Sequence, residues 1–427
     1  MFVAFFLILM YVVLVYIRPQ EYVTALQDIP VLPAFLIGSF IVWLIQANKN
    51  FEASQHRLLP LLLFTMALSV AATGWLGGAL ETFMGFFPTV VLFYLISTST
   101  DTVTKHKLFI RTMAFITAIL ALHGIDQVQT GVGWSGARVM EGSRITYLGI
   151  FNDPNDLALA FVIAMPMFGY GLTEAKLLIS KAFWLAGIAI DLYGIYLTNS
   201  RGGMLGAIAL FVLYFHSRYG VLKSSIVASV GLMALSLLPS RLDELDAGEE
   251  SAAGRVDAWY EGIQMLLNHP ILGVGKGLFT EHHNLTAHNS IVLVFAELGL
   301  FGYFIWLAFV GLSAYMVYRI SRTTADQVGA SRGDEEAEWA QYKKISRTYL
   351  YAMLGFFVSA FFLSRSYNIL LIILCALCVA LYQSVRQRWP RFEPISFSKI
   401  AGRTLVFEIG SIAFMYILVK VLLWLGK

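Results

Sequence analysis

Residues 290–319, SIVLVFAELGLFGYFIWLAFVGLSAYMVYR, decide the fold class: before Arg319 this thirty-residue stretch holds one charged side chain, Glu297. A helix of about 20 predominantly apolar residues crosses roughly 30 Å of hydrocarbon, so the run is long enough to span a membrane. The rest of the chain repeats the pattern. Of 427 residues 58% are hydrophobic and 13% charged, and the mean hydropathy is +0.70. Soluble domains run near half apolar and about a quarter charged. The composition excludes a soluble globular chain, a disordered chain and a disulfide scaffold. It predicts an all-α, polytopic integral membrane protein, with residues 1–427 forming one transmembrane domain.

About 12–13 transmembrane helices are expected, because apolar runs are centred in 1–17, 31–46, 58–75, 83–98, 108–125, 155–172, 182–198, 202–217, 222–238, 290–319, 347–363, 368–384 and 404–424. The first lacks a positive leader and a following small-x-small cleavage site, so it reads as a retained span. Cytoplasmic loops carry the excess of Lys and Arg. Placing the N-terminus inside puts twenty of the thirty Lys and Arg residues on cytoplasmic segments. Thirteen spans then leave the C-terminus outside, and twelve leave it inside. The net charge of +3 is dispersed in short loops with no basic tract, which gives no case for a nucleic-acid partner. Cys375 and Cys378, three apart in an apolar run, read as small core residues.

Two outer segments exceed simple turns. One is 126–154. The other, 239–289, reads as an insertion whose Val256, Trp259, Tyr260, Ile263 and Leu267 recur with the spacing of an amphipathic helix, expected to lie along the outer interface. The stretch DELDAGEE, 243–250, reads as a solvated acidic loop ahead of it. On the other side, 321–346 reads as a cytoplasmic loop or surface helix.

Polar residues concentrate in the outer segments. Asn199-Ser200-Arg201-Gly202-Gly203 joins two spans with almost no room to spare. An arginine near bilayer depth is costly and faces water, a ligand or a partner, so Arg201 is either an anion clamp or a side chain snorkelling to lipid phosphate. The glycines let the backbone turn tightly and something bulky approach. Arg255 opens the amphipathic helix, and the Pro- and Gly-punctuated turn NHPILGVGKGLF, 268–279, follows it. His288 and Asn289 stand immediately before the 290–319 run. An imidazole there could take a proton from a sugar hydroxyl, a contribution typically worth about 10²- to 10⁴-fold, and the alternative is a helix cap. His282 and His283 beside Glu281 lack a metal-binding motif, so no metal site is expected. Asn152, Asp153, Pro154, Asn155 and Asp156 fit an Asx turn with a helix cap. The alternative is a substrate hydrogen-bonding site served by Arg138 and Arg144. Asp191, Glu297 and Glu408 fall in or beside spans with no identifiable proton-relay partner.

NSRGG at a short outer turn, an Arg-x-x-x-Trp helix, the HPxxGxGxGxF turn, AHN and then AELGLFG together resemble the O-antigen ligase and polymerase superfamily of bacterial envelope glycosyltransferases, mainly over 144–305. The resemblance implies a GT-C-like bundle with a periplasmic helical insertion, in the bacterial inner membrane with its active site facing the periplasm. It implies an undecaprenyl pyrophosphate-linked glycan donor, His288 as catalytic base, and Arg201 and Arg255 as donor pyrophosphate ligands. Arg144, Asn152, Asn155 and Asn289 are further candidate contacts. No cofactor and no metal is implied, because two guanidinium groups can stabilise the developing phosphate charge. The expected reaction is inverting transfer to an acceptor hydroxyl. The favoured acceptor is lipid A core, as in O-antigen ligation. The alternatives are a lipid-linked glycan, as in a polymerase, or a protein, as in an O-oligosaccharyltransferase. A lipid-linked glycan flippase or transporter is the reading from a different class, and it would call for internal repeats with paired broken spans.

Overall fold

The computed structural model describes residues 2–45, 49–140, 143–237, 252–330 and 333–425. Among them are sixteen α-helices and no β-strand, only isolated bridges at Val132–Arg138 and Met140–Arg144. The first half comprises α1 (Phe2–Ile17), α2 (Val31–Ile45), α3 (Gln55–Ala71), α4 (Leu76–Ser99), α5 (Val103–Thr130), α6 (Pro154–Glu174), α7 (Leu178–Leu197) and α8 (Arg201–Tyr219). The second half comprises α9 (Val221–Leu237), α10 (Ala252–Asn268), α11 (Phe279–His282), α12 (Ser290–Arg322), α13 (Ala325–Val328), α14 (Gly333–Ala360), α15 (Ile369–Arg388) and α16 (Phe397–Leu425).

The protein is thus an all-α polytopic membrane protein. Each apolar run falls largely on one helix. Seven helices, α4, α5, α6, α7, α12, α15 and α16, are long and apolar enough to cross a membrane, and α1, α2, α3 and α9 are shorter apolar helices. Lipid offers no hydrogen bonds, so such segments satisfy their backbone within the helix. The core of the bundle is α15, α6 and α12, whose apolar windows are 89%, 78% and 72% buried, whereas α16 and α7 are 17% and 22% buried and lie at the rim. Cys375 and Cys378 are buried free thiols in α15.

Three loop expectations are refined. Helix α5 runs on to Thr130, so the first outer segment begins at Gly131. That segment is folded back on α5, with Gln127 Nε2 donating to the Ala137 carbonyl at 3.0 Å and Gln127 Oε1 accepting from the Thr146 amide at 3.0 Å. Of the two readings of 321–346, loop or surface helix, the stretch 333–346 takes the helical one, as the first part of α14. Its Trp339, Tyr342 and Ile345 share a helical face and are buried, with Trp339 and Tyr342 edge-on to Trp389. The amphipathic α10 packs on α12 and α16; its Ala258, Trp259, Ile263 and Leu266 are buried, and Leu267 is exposed instead. The acidic 243–250 stretch lies outside the described residues.

The 290–319 run is broken. Gly299 adopts φ 64°, ψ −169° inside α12, a conformation essentially restricted to glycine. The turn after α10 fills the gap: Val274 and Gly275 amides donate to the Ala296 and Glu297 carbonyls at 2.9 and 3.0 Å, while Leu300 and Phe301 amides donate to the Pro270 and Ile271 carbonyls at 2.8 and 3.3 Å. HPILGVGKGLF and AELGLFG are therefore two halves of one device. Irregular backbone at membrane depth is tolerated only where protein or water satisfies it, and here the inserted turn does so.

Candidate active site

The outer end, so named from the distribution of Lys and Arg, receives the N-termini of α6, α8, α12 and α15. Each start is capped by a side-chain oxygen. Asp153 accepts from the Asn155 amide at 2.7 Å, Ser200 from Gly203 at 3.2 Å, Asn289 from Ile291 at 2.9 Å and Val292 at 3.1 Å, and Asn368 from Leu370 at 2.8 Å. Helix N-termini carry about half a positive charge each, so four of them at one end favour an anionic ligand there.

Arg201 is the first residue of α8 and is exposed. What approaches its glycines is protein: a Cβ on Gly203 would sit 2.7 Å from Ala158 Cβ of α6, and one on Gly202 would sit 3.4 Å from Phe362 Cβ and the Ser359 carbonyl. The glycines bring the start of α8 against α6 and the end of α14. Arg255, partly exposed in α10, lies one turn before Trp259, whose ring meets Phe361 edge-on at 5.8 Å. His288, partly exposed, has φ 46°. Its neighbours are tied to the connection between α14 and α15: Thr286 Oγ1 donates to Ser364 Oγ at 3.0 Å, and Ser290 Oγ donates to the Leu363 carbonyl at 2.7 Å. The segments bearing Arg201, Arg255 and His288 thus all border residues 359–366, although they are far apart in the chain.

Among the other sequence candidates, Asn289 and Arg144 hold local structure together. Asn289 is fully buried and its side-chain oxygen caps α12. Arg144 donates from Nε to the Thr198 carbonyl at 2.9 Å and from Nη2 to Asn155 Oδ1 at 3.2 Å, tying the first outer segment to the Ser200 turn and to α6. Asn152 and Arg138 are exposed. His283 pairs with Asp257 at 3.3 Å, and His282 is exposed. No cluster of three or more metal-ligating side chains occurs among the described residues.

Two arrangements add to the sequence candidates, one around Glu297, which stood out as a charge in an apolar run, and one around a residue that did not stand out. Glu297, buried in α12, lies beside Lys276 and the Tyr367 phenol, against the Gly277 and Phe279 end of the inserted turn. Burial and the Glu297 carboxylate raise Tyr367 well above the usual phenol range. The second is Arg365, whose guanidinium pairs with Asp153 at 2.8 Å and with Asp156. Its only sequence signal is a charge within LSRSYN, 363–368, between two apolar runs.

This end of the bundle defines a class: polytopic helical membrane proteins whose polar groups collect where several helix N-termini meet. The family model described as O-Antigen ligase matches residues 186–307. The matched segment contains Arg201, Arg255 and His288, and it supports assignment to the O-antigen ligase and polymerase superfamily. No curated protein matches the chain.

Proposed function

We propose that the protein is a metal-independent, inverting glycosyltransferase of the bacterial inner membrane, moving a glycan from undecaprenyl pyrophosphate to an acceptor hydroxyl at the periplasmic face. The favoured reaction is O-antigen ligation to lipid A core. The observation that carries this reading is the O-antigen ligase match over 186–307, the stretch that holds Arg201, Arg255 and His288.

In this mechanism the acceptor oxygen attacks the anomeric carbon on the face opposite the pyrophosphate. The bond from that carbon to the phosphate oxygen breaks, the hydroxyl proton passes to the His288 imidazole, and undecaprenyl pyrophosphate leaves with the bonding electrons. Charge grows on the departing phosphate as the bond lengthens, and guanidinium groups bind phosphate with two parallel hydrogen bonds. Arg201 and Arg255, aided by the helix N-termini, supply that stabilisation.

The test is reconstitution of the full chain in liposomes with an undecaprenyl pyrophosphate-linked oligosaccharide and one acceptor at a time. Transfer to lipid A core in the presence of a chelator, with inverted linkage, is the expected product. Extension of a second lipid-linked glycan would make it a polymerase, and transfer to a protein hydroxyl an O-oligosaccharyltransferase. Translocation of the lipid without transfer would make it a flippase and overturn the proposal.

A further inference from the structure

We infer that Arg365 is a positioning residue for His288: its ion pairs with Asp153 and Asp156 latch the connection between α14 and α15 onto the start of α6, and that connection fixes the start of α12. The inference rests on His288 serving as the base.

The latch is built from three parts. The guanidinium donates from Nη2 to Asp153 Oδ2 at 2.8 Å and from Nε to Asp156, so one side chain engages both carboxylates at the start of α6. Asn368 Nδ2 adds a bond to Asp156 Oδ1 at 3.3 Å. The backbone around Arg365 then holds α12. The Arg365 amide donates to Ser290 Oγ at 2.9 Å, Ser290 Oγ donates to the Leu363 carbonyl at 2.7 Å, and Ser366 Oγ donates to the Ser290 carbonyl at 2.7 Å. On the other side of His288, Thr286 bonds Ser364 at 3.0 Å. The residues two before and two after the imidazole are thus gripped by one short segment, and Arg365 anchors that segment.

His288 needs such a grip. Its φ of 46° is in the left-handed region, where a residue with a Cβ stays only if its surroundings over-determine it. Arg365 is also a poor third phosphate ligand. Two carboxylates already occupy its fork, and the trio carries a net charge of −1 when all three are ionised, whereas a pyrophosphate site needs uncompensated positive charge. Lysine cannot replace the fork, because its ammonium lacks the planar geometry that meets two carboxylates at once.

Arg365→Gln and Arg365→Lys, each in the full-length protein reconstituted with the lipid-linked oligosaccharide, separate the roles. Misplacement of a catalytic group by about 1 Å costs on the order of 100-fold. Arg365→Gln should therefore lower kcat by roughly that factor while KM for the donor stays within about twofold. Arg365→Lys, which keeps one ion pair, should recover part of the loss. Wild-type kcat in Arg365→Gln would overturn the inference. So would a raised donor KM at unchanged kcat, which marks a phosphate ligand. If Arg365→Gln does not fold, Arg365→Lys decides: reduced kcat at unchanged thermal stability supports positioning, and wild-type kcat refutes it. His288→Asn separates the two levels. A fully active His288→Asn refutes the base itself, whereas an inactive His288→Asn beside fully active Arg365 variants refutes only the latch.

Discussion

Replacing Gly299 by alanine should unfasten the inserted turn from α12. At φ 64°, ψ −169° an added Cβ meets the Ile271 carbonyl group and the Leu272 amide nitrogen. The backbone strain alone costs about 1–3 kcal/mol. Relieving it by shifting the backbone endangers the Leu300 and Phe301 amide bonds to Pro270 and Ile271, each worth about 1 kcal/mol net. The sum is about 3–5 kcal/mol. Gly311→Ala is the control, because it lies in the same helix and a Cβ there meets nothing within 4 Å. The assay is the fraction of detergent-solubilised protein that stays monodisperse after graded heating. Gly299→Ala should fall at a clearly lower temperature, with Gly311→Ala at or above wild type. Equal midpoints for the two variants would refute the idea that the turn completes the broken helix.

Other outcomes follow from the same contacts. Arg201→Ala should reduce glycan transfer at unchanged thermal stability, since the side chain is exposed; Arg201→Lys should restore only part of it, because bidentate phosphate binding is lost, as steady-state rates will show. Asn289→Ala removes the α12 cap and should cost roughly 0.5–2 kcal/mol of stability, measured by the same heating assay; a variant that keeps full stability would show that the cap is dispensable. Gly203→Val drives a branched side chain into Ala158 of α6, so folded yield should drop sharply, whereas Gly169→Val, at a position where a Cβ meets nothing within 4 Å, should be tolerated.

Much of the fold was legible because membrane insertion writes itself into composition. Each apolar run found in the sequence falls largely on a helix, since no other backbone arrangement satisfies its hydrogen bonds in lipid except a closed barrel. Boundaries were less legible where a helix outlasts its apolar part. The start of α14 is charged on its outer faces, and only its Trp339, Tyr342, Ile345 stripe marks it as packed. The break at Gly299 was hidden because AELGLFG is apolar enough to read as continuous helix, and its cause lies in a turn about 25 residues upstream. Arg201, Arg255 and His288 stood out as polar groups in short outer segments. Arg365 did not, because its meaning comes from Asp153 and Asp156, more than two hundred residues away, and single-sequence spacing carries no signal for such a pair. Asn289 illustrates the converse: a polar residue beside a candidate base whose side chain serves the helix end.

The most direct measurement is the initial rate of glycan transfer by His288→Asn in liposomes carrying an undecaprenyl pyrophosphate-linked oligosaccharide and lipid A core. Asparagine tolerates the left-handed backbone of position 288 but cannot act as a proton acceptor at neutral pH. Transfer should fall by about 10²- to 10⁴-fold in a protein that remains folded and still binds the donor. Transfer at the wild-type rate would contradict the assignment of the imidazole, and with it the reaction proposed for this end of the bundle.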